Sequence, residues 1–201
     1  MPFAHDKYAT EYDDQIRMYH CHIADVLFGL SFEFVKKDES ILDVGIGTGV
    51  SSKLFHQAGL EITGIDASAE MLKFCEKKKI TKRLKQHNLL EFPWPFHDVQ
   101  FDHVVCCGVF HFIGDLEDVF IEIARILKPG GIFSFTYRGN DREQEFKGKF
   151  EQQEEDGFRT YSHRSRYIDH LMQNLNFRKE KEMACFVGQT RFTAIVARKP
   201  E

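Results

Sequence analysis

The segment "ILDVGIGTGV", residues 41 to 50, sets three glycines at alternate positions directly after an apolar run. Few folds have a use for that. Without a Cβ the backbone reaches left-handed conformations cheaply and lets a ligand approach the main chain. "SILDV" has the short apolar character of a strand buried on both faces. The next run reads as a helix with Thr48 as its cap, Val50, Leu54 and Ala58 on one face, and Gly59 as its stop. Buried strand, glycine turn and helix in succession imply the first unit of a parallel, doubly wound sheet.

The rest of the chain repeats the alternation. "LEITGID" reads as a second strand, and "SAEMLKFCEKKK" as a helix capped by Ser68 and closed by lysines suited to a helix C-terminus. "RLKQHN" is a weaker third strand and "FDHVVCCGV" a fourth. "DLEDVFIEIARIL" aligns Leu116, Val119, Phe120, Ile123 and Leu127 along one helical stripe, which "KPGG" ends before a fifth strand, "GIFSFTYR". "SRYIDHLMQNLNF" is a final helix. "RKEKEMACFV" and "TRFTAIVARK", joined at Gly188 and Gln189, have hairpin spacing. Residues 138 to 158 are charged and poor in branched apolar side chains, and read as an exposed helix or a flexible excursion. The predicted fold is α/β: a doubly wound, Rossmann-like sheet, mostly parallel, with an antiparallel C-terminal edge hairpin and helices on both faces. Length suits a single domain over 1–201: an N-terminal helical lid (1–38), a ligand-binding core (39–137), and the excursion with the last helix and strands (138–201).

Composition excludes some functions. A formal charge of −4 argues against a general nucleic-acid binder, and no apolar run reaches the length that spans a bilayer. The N-terminus is polar, without a signal-peptide core. Five cysteines without framework spacing imply a reducing, cytoplasmic setting. No metal site is expected: Cys106 and Cys107 are core strand residues, and the "HCH" at His20 to His22 cannot share one helical face. The basic run Lys77 to Lys85 is a solvated face, whereas "FRTYSHRSR", residues 158 to 166, is either surface or a wall facing substrate.

Sheets of this kind bind ligands beyond the carboxyl ends of their strands, where the glycine turn lies. Gly45, Gly47 and Gly49 form G-x-G-x-G, not the G-x-G-x-x-G of dinucleotide folds. Asp43, two residues ahead, would repel a pyrophosphate but suits a ligand with a positive amino group. Asp66, 21 residues after Gly45, ends the second strand, the position of an acid that grips a ribose diol. A nucleoside with a cationic tail, such as S-adenosylmethionine, fits both acids.

Four segments in order, "LDVGIGTG", "GIDAS", "FDHVVCCGVFHFI" and "EIARILKPGG", resemble the class I S-adenosylmethionine-dependent methyltransferases that act mostly on small molecules, from about Glu39 to Tyr137. "YATEYDD" resembles their N-terminal lid. The resemblance implies that Asp43 with Gly45, Gly47 and Gly49 holds the methionine moiety, and that Asp66 accepts the ribose hydroxyls beside Ala67. Asn88, where the family usually has an aspartate, reads the adenine amino group, with Leu89 offering its backbone N–H. The backbone at Cys107 and Gly108 accepts from the methionine amino group, and Tyr8 and Tyr12 close over the cofactor. His111 stands one place before the position where relatives often carry a histidine; it is a general base or a polar edge residue. Tyr137 and Arg138, ending the fifth strand, lie toward the acceptor, where Arg138 binds an acidic group or pairs with "DREQE".

Methyl transfer from a sulfonium is an in-line displacement whose leaving group is already activated, so alignment and exclusion of water suffice without a catalytic triad. The expected product is S-adenosylhomocysteine, and the expected partner is a small-molecule acceptor, with the chain a monomer or homodimer. The alternatives are a methyltransferase acting on a tRNA nucleotide, with 158–166 as its clamp, and a cofactor-binding module without turnover. The glycine spacing and Asp43 disfavour a nicotinamide-dependent oxidoreductase.

Overall fold

The structure, a computed structural model, describes residues 9–139, 148–155 and 157–201. Seven strands form one sheet: β1 (Ser40–Val44), β2 (Glu61–Asp66), β3 (Arg83–Gln86), β4 (Phe101–Cys106), β5 (Leu127–Arg138), β8 (Arg178–Val187) and β9 (Thr190–Arg198), in the order β3-β2-β1-β4-β5-β9-β8. β1 pairs in parallel with both β2 and β4, and β5 extends the parallel set. β9 then runs antiparallel to β5 and carries β8 on its outer edge through a turn at Gly188 and Gln189. The order reverses between β1 and β4, so a crevice opens there beyond the strand ends. The α/β sheet read from the sequence is the one observed.

Helices α1 (Tyr12–Met18), α2 (Ile23–Ser31), α3 (Ser52–Gln57), α4 (Ala69–Lys77), α5 (Glu117–Ile126) and α6 (Ser165–Asn174) flank the sheet. Alternate strand residues serve opposite faces: Leu42 joins a core under α5 and α6, whereas Ile41 joins a second core with α2, α3 and α4. The first core is aromatic, with Phe133 and Phe135 stacked at 4.5 Å and Phe120 edge-on to both. Such edge-to-face pairs add about 1 kcal/mol each beyond area burial. The stripe on α5 is buried as its spacing predicts. "KPGG" does not form a separate stop: Leu127 already pairs with Phe101, and the next registered partner of β4 is Ile132, so residues 128–131 bulge within β5.

Two local readings need correction. Thr48 does not cap α3; its hydroxyl donates to Asp13 Oδ1 at 2.6 Å, and α3 begins at Ser52 with Ser52 and Phe55 as its buried residues. The described end of the charged excursion is strand rather than helix: β6 (Phe150–Glu155) and β7 (Phe158–His163) form a separate antiparallel ribbon, with Glu154 opposite Arg159. Residues 140–147 lie outside the described set. Ser68 caps α4 as expected, accepting from Met71 N at 3.1 Å.

Candidate active site

The turn after β1 is built by glycine backbone. Gly45 and Ile46 both donate to the Ile65 carbonyl, which folds the turn back onto β2. Gly45 (φ 72°) faces Val109, whose Cγ2 would stand 2.5 Å from an added Cβ. Gly47 (φ 53°) faces open space. Its amide donates at 2.8 Å to Asp66 Oδ2, while Oδ1 accepts the Ser68 amide at 2.8 Å. Both oxygens of Asp66 are thus tied to backbone amides, one from the turn after β1 and one from the start of α4.

These groups border a cleft of about 440 Å³, a size suited to a small molecule. Tyr12, Gly45, Gly47, Asp66, Ala67, Asn88, Leu89, Gly108 and His111 all line it. Cys107 lines an adjoining lobe of about 60 Å³ together with Tyr12, Gly47 and Ser51. Asn88 sits in a turn, where its Oδ1 already accepts the Leu90 amide at 3.1 Å. Burial, with the neighbouring Cys107, Cys21, Asp66 and Asp13, raises the Tyr12 phenol above its ordinary value, so it stays protonated.

Asp43 lies behind this wall. It is fully buried, and Oδ2 accepts the hydroxyls of Ser51 and Ser52, each at 2.6 Å. Oδ1 has no hydrogen-bond partner among the described residues. Burial pushes the Asp43 carboxyl up to about 6 despite the two serines, and the nearby Asp66 adds to the rise. A buried carboxylate short of donors is costly. It therefore favours a cation at the turn and opposes a phosphate, so the residues present fit a cofactor with an ammonium group.

Other predicted residues lie elsewhere. Gly49 packs on Cys75 and Ile80 rather than facing the cleft. Tyr137 is 3% exposed and belongs to the aromatic core beside Phe135. Arg138 forms a two-point ion pair with Glu155, at 2.7 and 2.8 Å, and also donates to Gln153. That pairing partner is on β6, further along than "DREQE". Tyr8 lies outside the described residues. The 158–166 patch is interleaved with acid: β7 lies against the glutamates of β6, and Lys149 pairs with Asp115 and Glu117.

The sequence reading missed part of the wall. Ile16, Cys21, Met71, Phe112, Val187 and Phe192 line the cleft, the last two from the C-terminal hairpin. The His111 ring lies 3.9 Å from that of Phe112 and edge-on to Phe192 at 5.6 Å. Only the apolar character of "ACFV" and "RFTAIV" was visible beforehand, and it reads equally as core.

A family model described as "Methyltransferase domain" matches residues 42–135, which span the glycine turn, Asp66, Asn88 and most of β5. Over this stretch the chain is a methyltransferase domain of the class I S-adenosylmethionine-dependent family. It is 34% identical over 102 residues to a demethylmenaquinone methyltransferase of Tropheryma whipplei, covering 48% of this chain and 41% of that protein. It is 29% identical over 129 residues to a malonyl-[acyl-carrier protein] O-methyltransferase of Salmonella typhimurium, covering 64% and 49%. The chain thus spans half or less of these curated relatives. In fold it is similar to Burkholderia thailandensis 1,6-didemethyltoxoflavin-N1-methyltransferase with bound 1,6-didemethyltoxoflavin and S-adenosylhomocysteine, with a TM-score of 0.73, 15% identity, and coverage of 97% and 86%. Among the described residues no cluster suits a metal ion, and no helix is long and apolar enough to cross a membrane.

Proposed function

We propose that the chain is a methyltransferase that takes the methyl group of S-adenosylmethionine and passes it to a small acceptor with an apolar body. The observation that carries this reading is the donor-starved Asp43 carboxylate one hydrogen bond behind the cleft wall at Ser51. The cofactor supplies an activated methyl on a positive sulfur. Asp66 orients its ribose, the glycine turn and the backbone at Cys107 and Gly108 bracket the amino-acid tail, and Asn88 with Leu89 borders the adenine. Tyr12 and Ile16 exclude water from above. Aligning two reactants in this manner is worth about 7–11 kcal/mol of barrier.

The acceptor reading rests on the wall where the rings of Phe112 and Phe192 meet His111 and Val187 also lines the cleft. Such a wall suits a flat, uncharged body, with the imidazole placed to receive the proton that an acidic hydroxyl, thiol or ring nitrogen releases. Quinone and heterocycle acceptors in the names of the demethylmenaquinone and didemethyltoxoflavin enzymes agree with it. The mixed charge along 149–163 supports a small molecule over a tRNA. The unbridged thiols of all five cysteines support a reducing, cytoplasmic setting.

Calorimetric titration with S-adenosylhomocysteine is the first test, and binding in the micromolar range is expected. Absence of binding refutes the reading. With an accepted substrate in hand, His111→Gln should lower turnover about 100-fold and remove an inflection from the pH profile. An unaltered profile returns His111 to the wall.

A further inference from the structure

No residue of helix α1 is fully buried, though Tyr12 and Ile16 are half-buried, and the helix stands over the cleft. Tyr12 and Ile16, one turn apart on the same face, line that cleft, and Asp13 lies beside them on the helix. The Asp13 carboxylate joins three separate parts of the chain. Oδ1 accepts the Thr48 hydroxyl at 2.6 Å, from within the glycine turn, and Oδ2 pairs with Lys78 Nζ at 2.5 Å, just past the end of α4. Thr48 is 1% exposed, and the Asp13 and Lys78 side chains are about one-third exposed. Burial alone would raise the Asp13 carboxyl, but the bonds from Lys78 and Thr48 outweigh it and hold the group below its ordinary range, ionised at neutral pH.

We infer that Asp13 is a positioning residue for the cofactor, latching helix α1 to the glycine turn and to α4 so that Tyr12 and Ile16 stay over the bound ligand. The inference rests on the proposed function and goes beyond it. A lid with little buried surface of its own is held shut either by ligand or by bonds to the frame. The ion pair Asp14–Arg17 lies within α1 and ties the helix to nothing else. Among the described residues of α1, Asp13 supplies side-chain bonds to the frame. It grips the same turn that brackets the amino-acid tail, so lid position and turn position are coupled. Affinity scales with the fraction of molecules in the closed state, so loss of the latch lowers it with every cleft residue intact.

The test measures affinity and release rate of S-adenosylhomocysteine for the native chain and for Asp13→Ala, Thr48→Val and Lys78→Met, alongside the unfolding midpoint. Asp13→Ala should weaken binding about tenfold, mainly through faster release, because charge-assisted hydrogen bonds of this kind are worth a factor of that order. The two partner substitutions should each weaken it less, and adding either to Asp13→Ala should change nothing further. Thr48→Ser should restore native binding. Trypsin should cut after Arg17, exposed in the lid, faster in Asp13→Ala than in the native chain. Folded variants with native affinity and native cleavage rates overturn the latch. Failure of the native chain to bind overturns the proposed function instead, and the cleavage comparison still decides the latch.

Discussion

Asp66 Oδ2 accepts the Gly47 amide at 2.8 Å, so the acid ending β2 and the turn following β1 form one hydrogen-bonded unit. The bond holds the carboxylate at the wall of the cleft, which Asp66 lines.

Asp66→Ala should therefore do two separable things. It removes a charged acceptor from a ribose diol, which at about 1.5–3 kcal/mol per bond predicts roughly a 100-fold or greater loss of S-adenosylhomocysteine affinity by calorimetry. It also strands the Gly47 and Ser68 amides, at a stability cost of about 1–2 kcal/mol in urea unfolding. Unchanged affinity in a folded variant removes Asp66 from the site.

Gly45 and Gly47 share left-handed φ values but differ in surroundings, and their alanine variants should differ accordingly. Gly47→Ala carries chiefly the backbone cost, about 1–2 kcal/mol, and its methyl projects into space the ligand needs, so binding suffers more than folding. Gly45→Ala adds a collision with Val109 and should destabilise by about 3 kcal/mol in all. Equal unfolding midpoints for the two variants contradict this division.

Signals that are local in the chain were legible before the structure. The β1 glycine turn, the Ser68 cap and the Gly188 hairpin each follow from neighbours within four residues, and each formed where expected. Contacts between distant segments were not. Thr48 looks like a cap because its real partner, Asp13, is 35 residues away. The β6–β7 ribbon carries glutamates and glutamines where a buried strand would alternate apolar residues. It is held instead by cross-strand pairing and by Phe150 and Tyr161 packing on Gly114. Phe192 is buried in the core as its apolar surroundings suggest, but its contact with the His111 ring joins segments 81 residues apart and was not legible.

Asp43 makes a pH prediction with a definite sign. Its folded carboxyl is raised to about 6, above the unfolded value near 4, so its favourable contribution is complete below about pH 4 and is lost as pH rises through 6. Asp43→Asn keeps an acceptor for Ser51 and Ser52 and carries no charge. In the ligand-free protein the difference in urea stability between variant and native should grow in favour of Asn between pH 4 and pH 8, by about 3 kcal/mol. Affinity for S-adenosylhomocysteine should fall at the same time, because the variant offers an ammonium group no charge. A pH-independent difference means the carboxyl titrates normally.

The final prediction concerns Arg138, whose two-point pair with Glu155 binds the β6–β7 ribbon to the end of β5. β7 in turn supports the loop that carries His111: His163 Nε2 donates to the Gly114 carbonyl at 2.9 Å, and Phe158 meets Phe112 at 6.2 Å. Arg138→Ala and Glu155→Ala should each loosen that loop and slow turnover about fivefold, since small misplacements of an aligned group are expensive. Product affinity should stay within twofold, because neither side chain lines the cleft. The double variant should be no slower than either single one. A loss confined to Arg138→Ala, and seen only with acceptors that carry an acidic group, would instead make the guanidinium a substrate ligand.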